Sequence, residues 1–403
     1  MRAGDDRLER YARLVVRVGM NVQPGQLVCV DGLVEHAPLV RAVTREAYAA
    51  GASYVDVLYN DQHVRRALIE LGAEDVLSYS PPWLVERYRA FGRERAAACA
   101  ITGNPEPELF ADLDGARVGK ARMREAVGEW LKLTDGLCNW AIVSYPNAGW
   151  AETVFGEPDV DRLWDAVGHT VRLDAPDPVA AWQEHIDRLE ARAAALNERR
   201  FDHLRYRGPG TDLTIGLHPE STWQGARDYA NGIAHVANMP TEEVYTTPDA
   251  RRTEGTVSAT LPLQLQGNIV RGLRVSFANG RVTELHADSG EEVMRTHAAT
   301  DDGAARLGEV ALVDRTSAVG ETGLVFYNTL FDENASSHIA LGASIIQAVP
   351  WASELDDEER HERGVNHSSI HTDFMIGSDE VEIDGVSASG EAVPLLRGGE
   401  WQL

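Results

Sequence analysis

The sequence predicts two domains of different fold class: an α/β domain with a parallel sheet over residues 1–200 and a β-rich α+β domain over residues 201–403. Three observations support this prediction. The chain of 403 residues is long enough for two or three domains. Short apolar strands alternate with helical patterns in the first half. Short alternating stretches separated by turn signals replace them in the second half.

The first half has the rhythm of βαβ units. Apolar residues at helical spacing from Leu8 to Val18 predict a helix that ends at Gly19. The elements predicted after it are a strand at 27–30, a helix at 37–50, strands at 54–58, 97–101 and 140–144, and an amphipathic helix at 178–199. Strand, helix and strand within about 30 residues imply a crossover connection and therefore a parallel sheet.

Turn signals dominate the second half. A Gly-Pro-Gly turn at 208–210 precedes a predicted strand at 213–217. Asn279-Gly280 separates two alternating stretches, 272–277 and 281–286. Because both central positions of such a tight turn need a positive φ, Asn-Gly between two strands predicts a β-hairpin.

Composition excludes several classes of protein. The chain contains 38 basic and 63 acidic residues, for a net charge of −25, and such a chain is repelled by phosphate backbones and anionic lipid surfaces. We therefore expect neither a nucleic-acid nor a membrane partner. Three cysteines without a CxxC spacing, and a charged N-terminus without an apolar signal-peptide core, predict a cytoplasmic location with buried, reduced thiols.

Common catalytic fingerprints are missing from the sequence. It contains no GxGxxG or GxxxxGK[ST] phosphate loop after the early strands and no GxSxG nucleophile elbow. The α/β half therefore reads as a scaffold without a catalytic residue of its own.

Unusual polar residues are concentrated in the second half. His371 and Asp373 stand two residues apart on a predicted strand and thus share one face. His338 lies among small residues, and Glu243 and Glu309 each precede an apolar strand. Each residue alone also has a structural explanation, as surface charge or as a hydrogen-bonded core histidine. Together they form a ligand set suited to Zn²⁺, Co²⁺ or Mn²⁺, and five ligands suit a pair of ions about 3.5–4 Å apart.

Several segments make the sequence similar to the M29 metallopeptidases, the thermophilic aminopeptidase T family. The matching segments are NMPTEEVYTTP (238–248), EGTV (254–257), LGEVAL (307–312), SHIALG (337–342) and IHTDFMIGS (370–378), together with GTDLTIGL (210–217) and residues 7–30. The later motifs occur in order along the chain, and the resemblance extends nearly from end to end.

The resemblance implies an α/β N-terminal domain, a β-rich catalytic domain, a homodimer and a site in an interior cavity. It places metal ligands at Glu243, Glu309, His338, His371 and Asp373, and it favours Glu243 over Glu242 because the family carboxylate directly precedes the Val. One position departs from the family pattern. Seven residues after the ligand histidine, where the family has a catalytic Tyr, this chain has Ile345, which cannot donate a hydrogen bond.

The function predicted on this basis is a metallo-aminopeptidase that removes N-terminal residues from short peptides. It would use two divalent ions, Zn²⁺ or Co²⁺ first and Mn²⁺ or Mg²⁺ as alternatives, with Glu309 as general base. Two alternatives remain open at this point. His338, His371 and Asp373 alone could form the two-His, one-carboxylate site of a mononuclear Fe(II) ring-cleaving dioxygenase, and the same scaffold could serve as a non-catalytic binding protein.

Overall fold

The computed structural model of the chain describes residues 3–265 and 268–403. The strands, numbered along the chain, are β1 Leu27–Leu33, β2 Tyr54–Asn60, β3 Ala97–Thr102, β4 Trp140–Ser144, β5 His203–Gly208, β6 Thr211–Leu217, β7 Asp228–Ala230, β8 Ile233–His235, β9 Glu243–Thr246, β10 Pro248–Ser258, β11 Leu263–Leu265, β12 Asn268–Val270, β13 Arg274–Ala278, β14 Arg281–His286, β15 Leu307–Val313, β16 His338–Gly342, β17 His371–Met375, β18 Glu382–Val386, β19 Ala392–Arg397 and β20 Glu400–Trp401. The helices are α1 Ala3–Leu14, α2 Ala37–Ala49, α3 Gln62–Leu71, α4 Pro82–Glu94, α5 Gly115–Lys120, α6 Arg124–Lys132, α7 Ala148–Phe155, α8 Val160–Thr170, α9 Pro178–Arg199, α10 Glu291–Ala298, α11 Thr329–Asp332 and α12 Asp357–Glu362.

Met1–Glu184 and Arg227–Pro240 form the first compact unit. Its main sheet has the strand order β2-β1-β3-β4, and every neighbouring pair is parallel. Helix α2 connects β1 to β2, so the predicted βαβ unit and parallel sheet are confirmed. Apolar side chains of the sheet and of α4, among them Cys29, Val85 and Phe91, pack into a buried core.

Six helices of this unit, α3 to α8, were not predicted from the sequence. Four of them begin after a side chain that accepts hydrogen bonds from the first backbone amides: Asp61, Asp114, Asn147 and Asp159. Such an N-cap stabilises a helix by about 1 kcal/mol. These caps were the local signal for helices too short to show a clear apolar period.

His185–Ala226 and Thr241–Leu403 form the second compact unit. It contains an eight-stranded sheet, β14-β13-β10-β6-β5-β18-β19-β20, and a four-stranded sheet, β17-β16-β15-β9. All pairs in both sheets are antiparallel. The predicted β-rich second half is therefore confirmed.

The predicted hairpin turn is present between β13 and β14. Asn279 and Gly280 adopt φ of 51° and 74°, so both central residues occupy the left-handed region. A Cβ at position 280 would lie 2.0 Å from the carbonyl oxygen of Ala250, so the position requires glycine for close approach as well as for backbone conformation.

The boundary predicted near residue 200 coincides with the end of α9. The first unit ends within α9 and also includes residues 227–240. Assignment of 1–200 and 201–403 as domains therefore remains a prediction about which segments act as scaffold and which carry the site. Within residues 3–265 and 268–403, no helix combines the length and apolar character needed to cross a membrane.

Candidate metal centre

The five candidate ligands lie on the four-stranded sheet of the second unit. Glu243 begins β9, Glu309 lies in β15, His338 begins β16, and His371 and Asp373 lie in β17. A β-bulge between Leu307 and Glu309 resets the alternation of β15 before the carboxylate. The sheet therefore brings together residues that are up to 130 positions apart in sequence.

The strand register puts all five side chains on one face of this sheet. Directly opposed residues share a face, and His371 faces Gly342 while Asp373 faces Ala340 across β16 and β17. The same rule connects the remaining strands through the pairs Ala340–Glu309, His338–Ala311 and Val313–Glu243. Because residues two apart on a strand also share a face, one surface carries every candidate ligand.

Small residues separate the ligands on that face. The residues between the candidate ligands are Ala311, Ala340 and Gly342. Their small side chains leave the space above the sheet to the imidazoles and carboxylates. Gly342 adopts φ of 109°, and a Cβ there would lie 2.1 Å from the carbonyl oxygen of Ile370. Glycine thus permits the close approach of β16 to the start of β17, where His371 lies.

The ligand atoms form two overlapping groups. Glu243, Glu309 and His338 make one group, and Glu309, His371 and Asp373 make the other. Within each group the ligand atoms lie within 4.8 Å of one another. Glu309 belongs to both groups, as a carboxylate that bridges two neighbouring ions would.

Both imidazoles are oriented by backbone carbonyls. His338 Nδ1 lies 3.1 Å from the oxygen of Ser336, and His371 Nδ1 lies 2.8 Å from the oxygen of Ala343. Because a carbonyl only accepts, Nδ1 carries the hydrogen in each ring. In the neutral form of each ring, Nε2 then carries the lone pair on the side of the carboxylates, which is the tautomer that metal-binding histidines adopt.

The two imidazoles do not provide a hydrogen bond for every carboxylate oxygen of the cluster. His338 Nε2 lies 3.0 Å from Glu243 Oε2, and His371 Nε2 lies 2.9 Å from Glu309 Oε2 and 3.6 Å from Asp373 Oδ1. Glu243 Oε2 and Asp373 Oδ1 are nevertheless buried without a hydrogen-bond partner among the described residues. Buried carboxylate oxygens without a donor are the kind of group that a bound cation would satisfy.

The pKa values of the site residues also show that the carboxylates favour positive charge beside them. Burial opposes a charged His338, yet Glu243 and the other carboxylates outweigh it and hold the pKa of this imidazole well above its ordinary value. Burial likewise opposes the charge of His371, and Asp373 and Glu309 raise its pKa. Burial raises the pKa of Glu309. In the absence of metal, protons thus occupy positions that a divalent cation would take.

Glu333 is a site residue that the sequence analysis missed. It is buried beside the cluster in the turn 333–335 that follows α11. Burial is the main cause that raises the pKa of Glu333 well above its usual range, and the charges of Asp373 and Glu243 add to it. The available signal was an Asp-Glu pair inside an apolar segment five residues before His338.

A buried amide ties this turn to the first ligand. Asn334 Oδ1 accepts a hydrogen bond from the backbone N–H of Glu242 at 2.7 Å, and its Nδ2 donates to the oxygen of Leu330 at 2.9 Å. Glu242 itself stands outside both ligand groups, and its Oε2 lies 3.6 Å from His185 Nε2. The choice of Glu243 over Glu242 agrees with this geometry.

Ile345 lies in the loop after β16. Its carbonyl accepts a hydrogen bond from Thr247 Oγ1 at 2.8 Å, and its side chain is half-buried. No polar group of Ile345 beyond its backbone is available to a substrate, as expected from the sequence.

Comparison with known proteins places this geometry in a family. A family model described as thermophilic metalloprotease (M29) matches residues 4–401. The chain belongs to the M29 metalloprotease family.

Relatives extend the match over the full chain. Aminopeptidase T of Thermus aquaticus is 42% identical over 409 residues, covering 100% of both proteins. Aminopeptidase 2 of Geobacillus stearothermophilus is 38% identical, covering 100% of this chain and 99% of the relative. The solved structure of wild-type AmpT from Thermus thermophilus matches with a TM-score of 0.91 at 40% identity, over 98% of this chain and 99% of that one.

These M29 relatives confirm the predicted family, fold class and enzyme class: a metal-dependent aminopeptidase, for which the family implies divalent metal ions and a peptide substrate. A 2,5-dihydroxypyridine dioxygenase from Pseudomonas putida KT2440 also matches, with a TM-score of 0.53 at 11% identity over 100% of this chain and 97% of that one. That likeness concerns the fold alone, and the dioxygenase alternative is not favoured.

Proposed function

We propose that this M29 enzyme is a dinuclear metallo-aminopeptidase that releases N-terminal residues from short peptides. The observation that carries the proposal is the pair of overlapping ligand groups, each with one imidazole, that share Glu309. A single iron site built from His338, His371 and Asp373 would need both imidazoles in one group, whereas they belong to different groups.

The residues present fit two divalent ions. We assign Glu243, Glu309, His338, His371 and Asp373 as ligands and add Glu333 as a sixth candidate. Four of these six groups are carboxylates, so the set carries up to four negative charges when ionised, which two divalent cations would balance. Imidazole nitrogen with carboxylate oxygen suits Zn²⁺ or Co²⁺, with Mn²⁺ and Mg²⁺ as alternatives.

Glu309 is our candidate for the general base. When bound, the ions would supply Lewis acidity towards a water molecule and the scissile carbonyl. Glu309 belongs to both ligand groups and therefore stands next to any water held between them. Its carboxylate can accept the proton of that water and return it to the departing amine. Carboxylates not used by the ions can attract the free α-ammonium of the peptide.

The site residues all fall within the predicted catalytic segment. Among the described residues, no comparable group of metal-ligating side chains includes a residue before Glu243. We therefore propose residues 201–403 as catalytic domain and residues 1–200 as scaffold, in a homodimer as the family resemblance implies. Cys29, Cys99 and Cys138 are buried and free, which supports our proposal of a reducing, cytoplasmic location.

Metal analysis with a substrate panel tests this function. We expect about two zinc or cobalt ions per purified chain and hydrolysis of aminoacyl substrates that stops with chelator and returns with metal. N-acetylated versions of the same substrates are the matched control and should not be hydrolysed. One iron per chain with oxygen consumption would overturn the proposal.

A further inference from the structure

Tyr245 lies on the same face of the sheet as the candidate metal ligands. Strand β9 pairs with β15 so that Val313 faces Glu243 and Ala311 faces Tyr245. Glu243 and Tyr245 are two residues apart and therefore project to one side of β9. The register thus adds an aromatic hydroxyl to a surface that otherwise presents only carboxylates, imidazoles and small or apolar side chains.

Tyr245 on β9 and His338 on β16 are separated by a single strand, β15. Ala311 faces Tyr245 on one side and His338 on the other. Tyr245 and His338 are thus two strand spacings apart, about 10 Å between backbones, and only the methyl group of Ala311 stands between them.

The backbone of Tyr245 is fixed on both sides. Its N–H donates to the oxygen of Gln224 at 3.1 Å, and its carbonyl accepts from the Gln224 N–H at 2.9 Å, while β15 pairs with the opposite edge. Glu243, Val244 and Thr246 are buried, whereas the Tyr245 side chain remains partly exposed. A strand fixed on both edges therefore holds Tyr245, and its partly exposed side chain lies on the ligand face.

We propose that Tyr245 is a further catalytic residue, whose hydroxyl donates a hydrogen bond to the carbonyl oxygen of the scissile peptide bond. This inference rests on the proposed aminopeptidase function. In hydrolysis the oxygen of water bonds to the carbonyl carbon and the C–N bond breaks. The carboxylate base takes one proton from the water and passes it to the nitrogen of the released amine, and the second proton is released when the new carboxylic acid ionises. Negative charge grows on the carbonyl oxygen meanwhile, so a fixed donor stabilises the transition state more than the substrate.

Two other positions must be compared with Tyr245 for this role. Ile345 has no side-chain donor. Tyr327 has a φ of 50°, and its segment is held by Asp332, which accepts hydrogen bonds from the N–H groups of Phe326 at 2.7 Å and Asn328 at 3.0 Å. Tyr327 lies in a loop outside the four-stranded sheet, so no strand pairing places its side chain on the ligand face. The geometry therefore favours Tyr245.

Substitution of the hydroxyl tests the inference. For Tyr245→Phe we expect kcat to fall about 10²–10³-fold, with KM changed less than threefold and metal content unchanged. Affinity for a phosphonate analogue of the N-terminal amino acid, which resembles the transition state, should fall by a factor similar to that of kcat. Tyr206→Phe is the control, because it removes a phenolic hydroxyl of the same unit that lies on β5, outside the ligand sheet, and it should leave kcat unchanged.

The outcomes separate this inference from the proposed function. If wild-type protein shows no metal-dependent hydrolysis, the proposed function fails first. If wild-type protein is active and Tyr245→Phe retains kcat within twofold, or loses metal together with activity, Tyr245 is not a catalytic donor. A loss of kcat in Tyr327→Phe with Tyr245→Phe unaffected overturns the assignment in favour of the loop. Partial recovery of kcat in Tyr245→Phe/Ile345→Tyr would support a shared donor role.

Discussion

Asp31 of the parallel sheet and Asp373 of the four-stranded antiparallel sheet are equally buried, with side chains 13% and 12% exposed. Asp31 accepts hydrogen bonds from Arg87 Nη2 at 3.0 Å and from the Tyr88 hydroxyl at 2.8 Å. Asp373 has an oxygen without a hydrogen-bond partner, 3.6 Å from His371 Nε2. Asp31 therefore has a guanidinium of its own unit as a direct partner, whereas Asp373 shares the His371 imidazole with Glu309.

This difference separates a structural charge from a functional one. A buried carboxylate that meets a guanidinium and a hydroxyl has its desolvation offset within the fold. A cluster of carboxylates that share two imidazoles has more acidic than basic groups, and a bound divalent cation can balance the excess negative charge. Substitution of a carboxylate of each kind, and of a residue that positions the metal site, tests this difference.

The largest effect is expected for Glu309→Gln, which keeps the shape of the residue shared by both ligand groups but removes its charge. We expect kcat to fall by at least about 10²–10⁴, because a general base and a ligand are lost together. Steady-state kinetics with metal analysis measures this effect. Glu382→Gln, at the exposed first position of strand β18, is the control and should behave as wild type. Activity within tenfold of wild type would contradict the role of Glu309.

Asn334→Ala should weaken metal binding without touching a ligand. Its amide connects the backbone of Glu242 to the segment carrying Glu333, and loss of such an outer contact typically costs 10–100-fold in metal affinity. Competition with a fluorescent chelator gives the dissociation constant. Asn197→Ala removes a similar two-sided amide contact, to the backbone of Trp223, and should leave metal affinity unchanged. Equal metal affinities in both variants would refute the positioning role.

Asp31→Asn and Asp373→Asn compare the two carboxylates directly. Asp31→Asn leaves Arg87 short of one charged partner and should lower the free energy of unfolding by about 1–3 kcal/mol while preserving kcat. Asp373→Asn should lose metal and activity, and the stability of its metal-free form should stay close to wild type or rise. Urea unfolding of metal-free protein and kinetics of loaded protein measure both. A catalytic defect in folded Asp31→Asn would break the distinction.

The smallest effect concerns acid stability at Asp301. Burial opposes its charge, but the Ser369 N–H and hydroxyl, the Ser368 hydroxyl and the Ala304 N–H lower its pKa to about 2. Since the folded pKa lies below the unfolded value of about 3.9, its stabilisation is present above pH 4 and lost as pH falls towards 2. Urea midpoints between pH 5 and pH 3 should therefore decline less steeply in Asp301→Asn. Parallel declines in the two proteins would exclude this contribution.

Local sequence determined a large part of the architecture. Apolar strands, the helix at 37–50 and the Asn279-Gly280 turn all follow from periodicity and backbone preference, which act within a few residues. The types of the five candidate ligands were also readable, because His371 and Asp373 share a strand and the other motifs retain the family order. Helices α3 to α8 were missed, although four of them begin after an Asp or Asn that caps the first turn.

Only the tertiary structure decided how these residues combine. The antiparallel register of β9, β15, β16 and β17 puts ligands from four strands on one face, and pairing between strands distant in sequence is not a local property. The same register divides the ligands into two groups around Glu309 and places Tyr245 on their face, and the turn after α11 brings Glu333 beside the cluster. Sequence determines which side chains can bind metal or donate a proton. Long-range strand pairing determines which of them meet, because side-chain chemistry depends on distances that only the folded sheet sets.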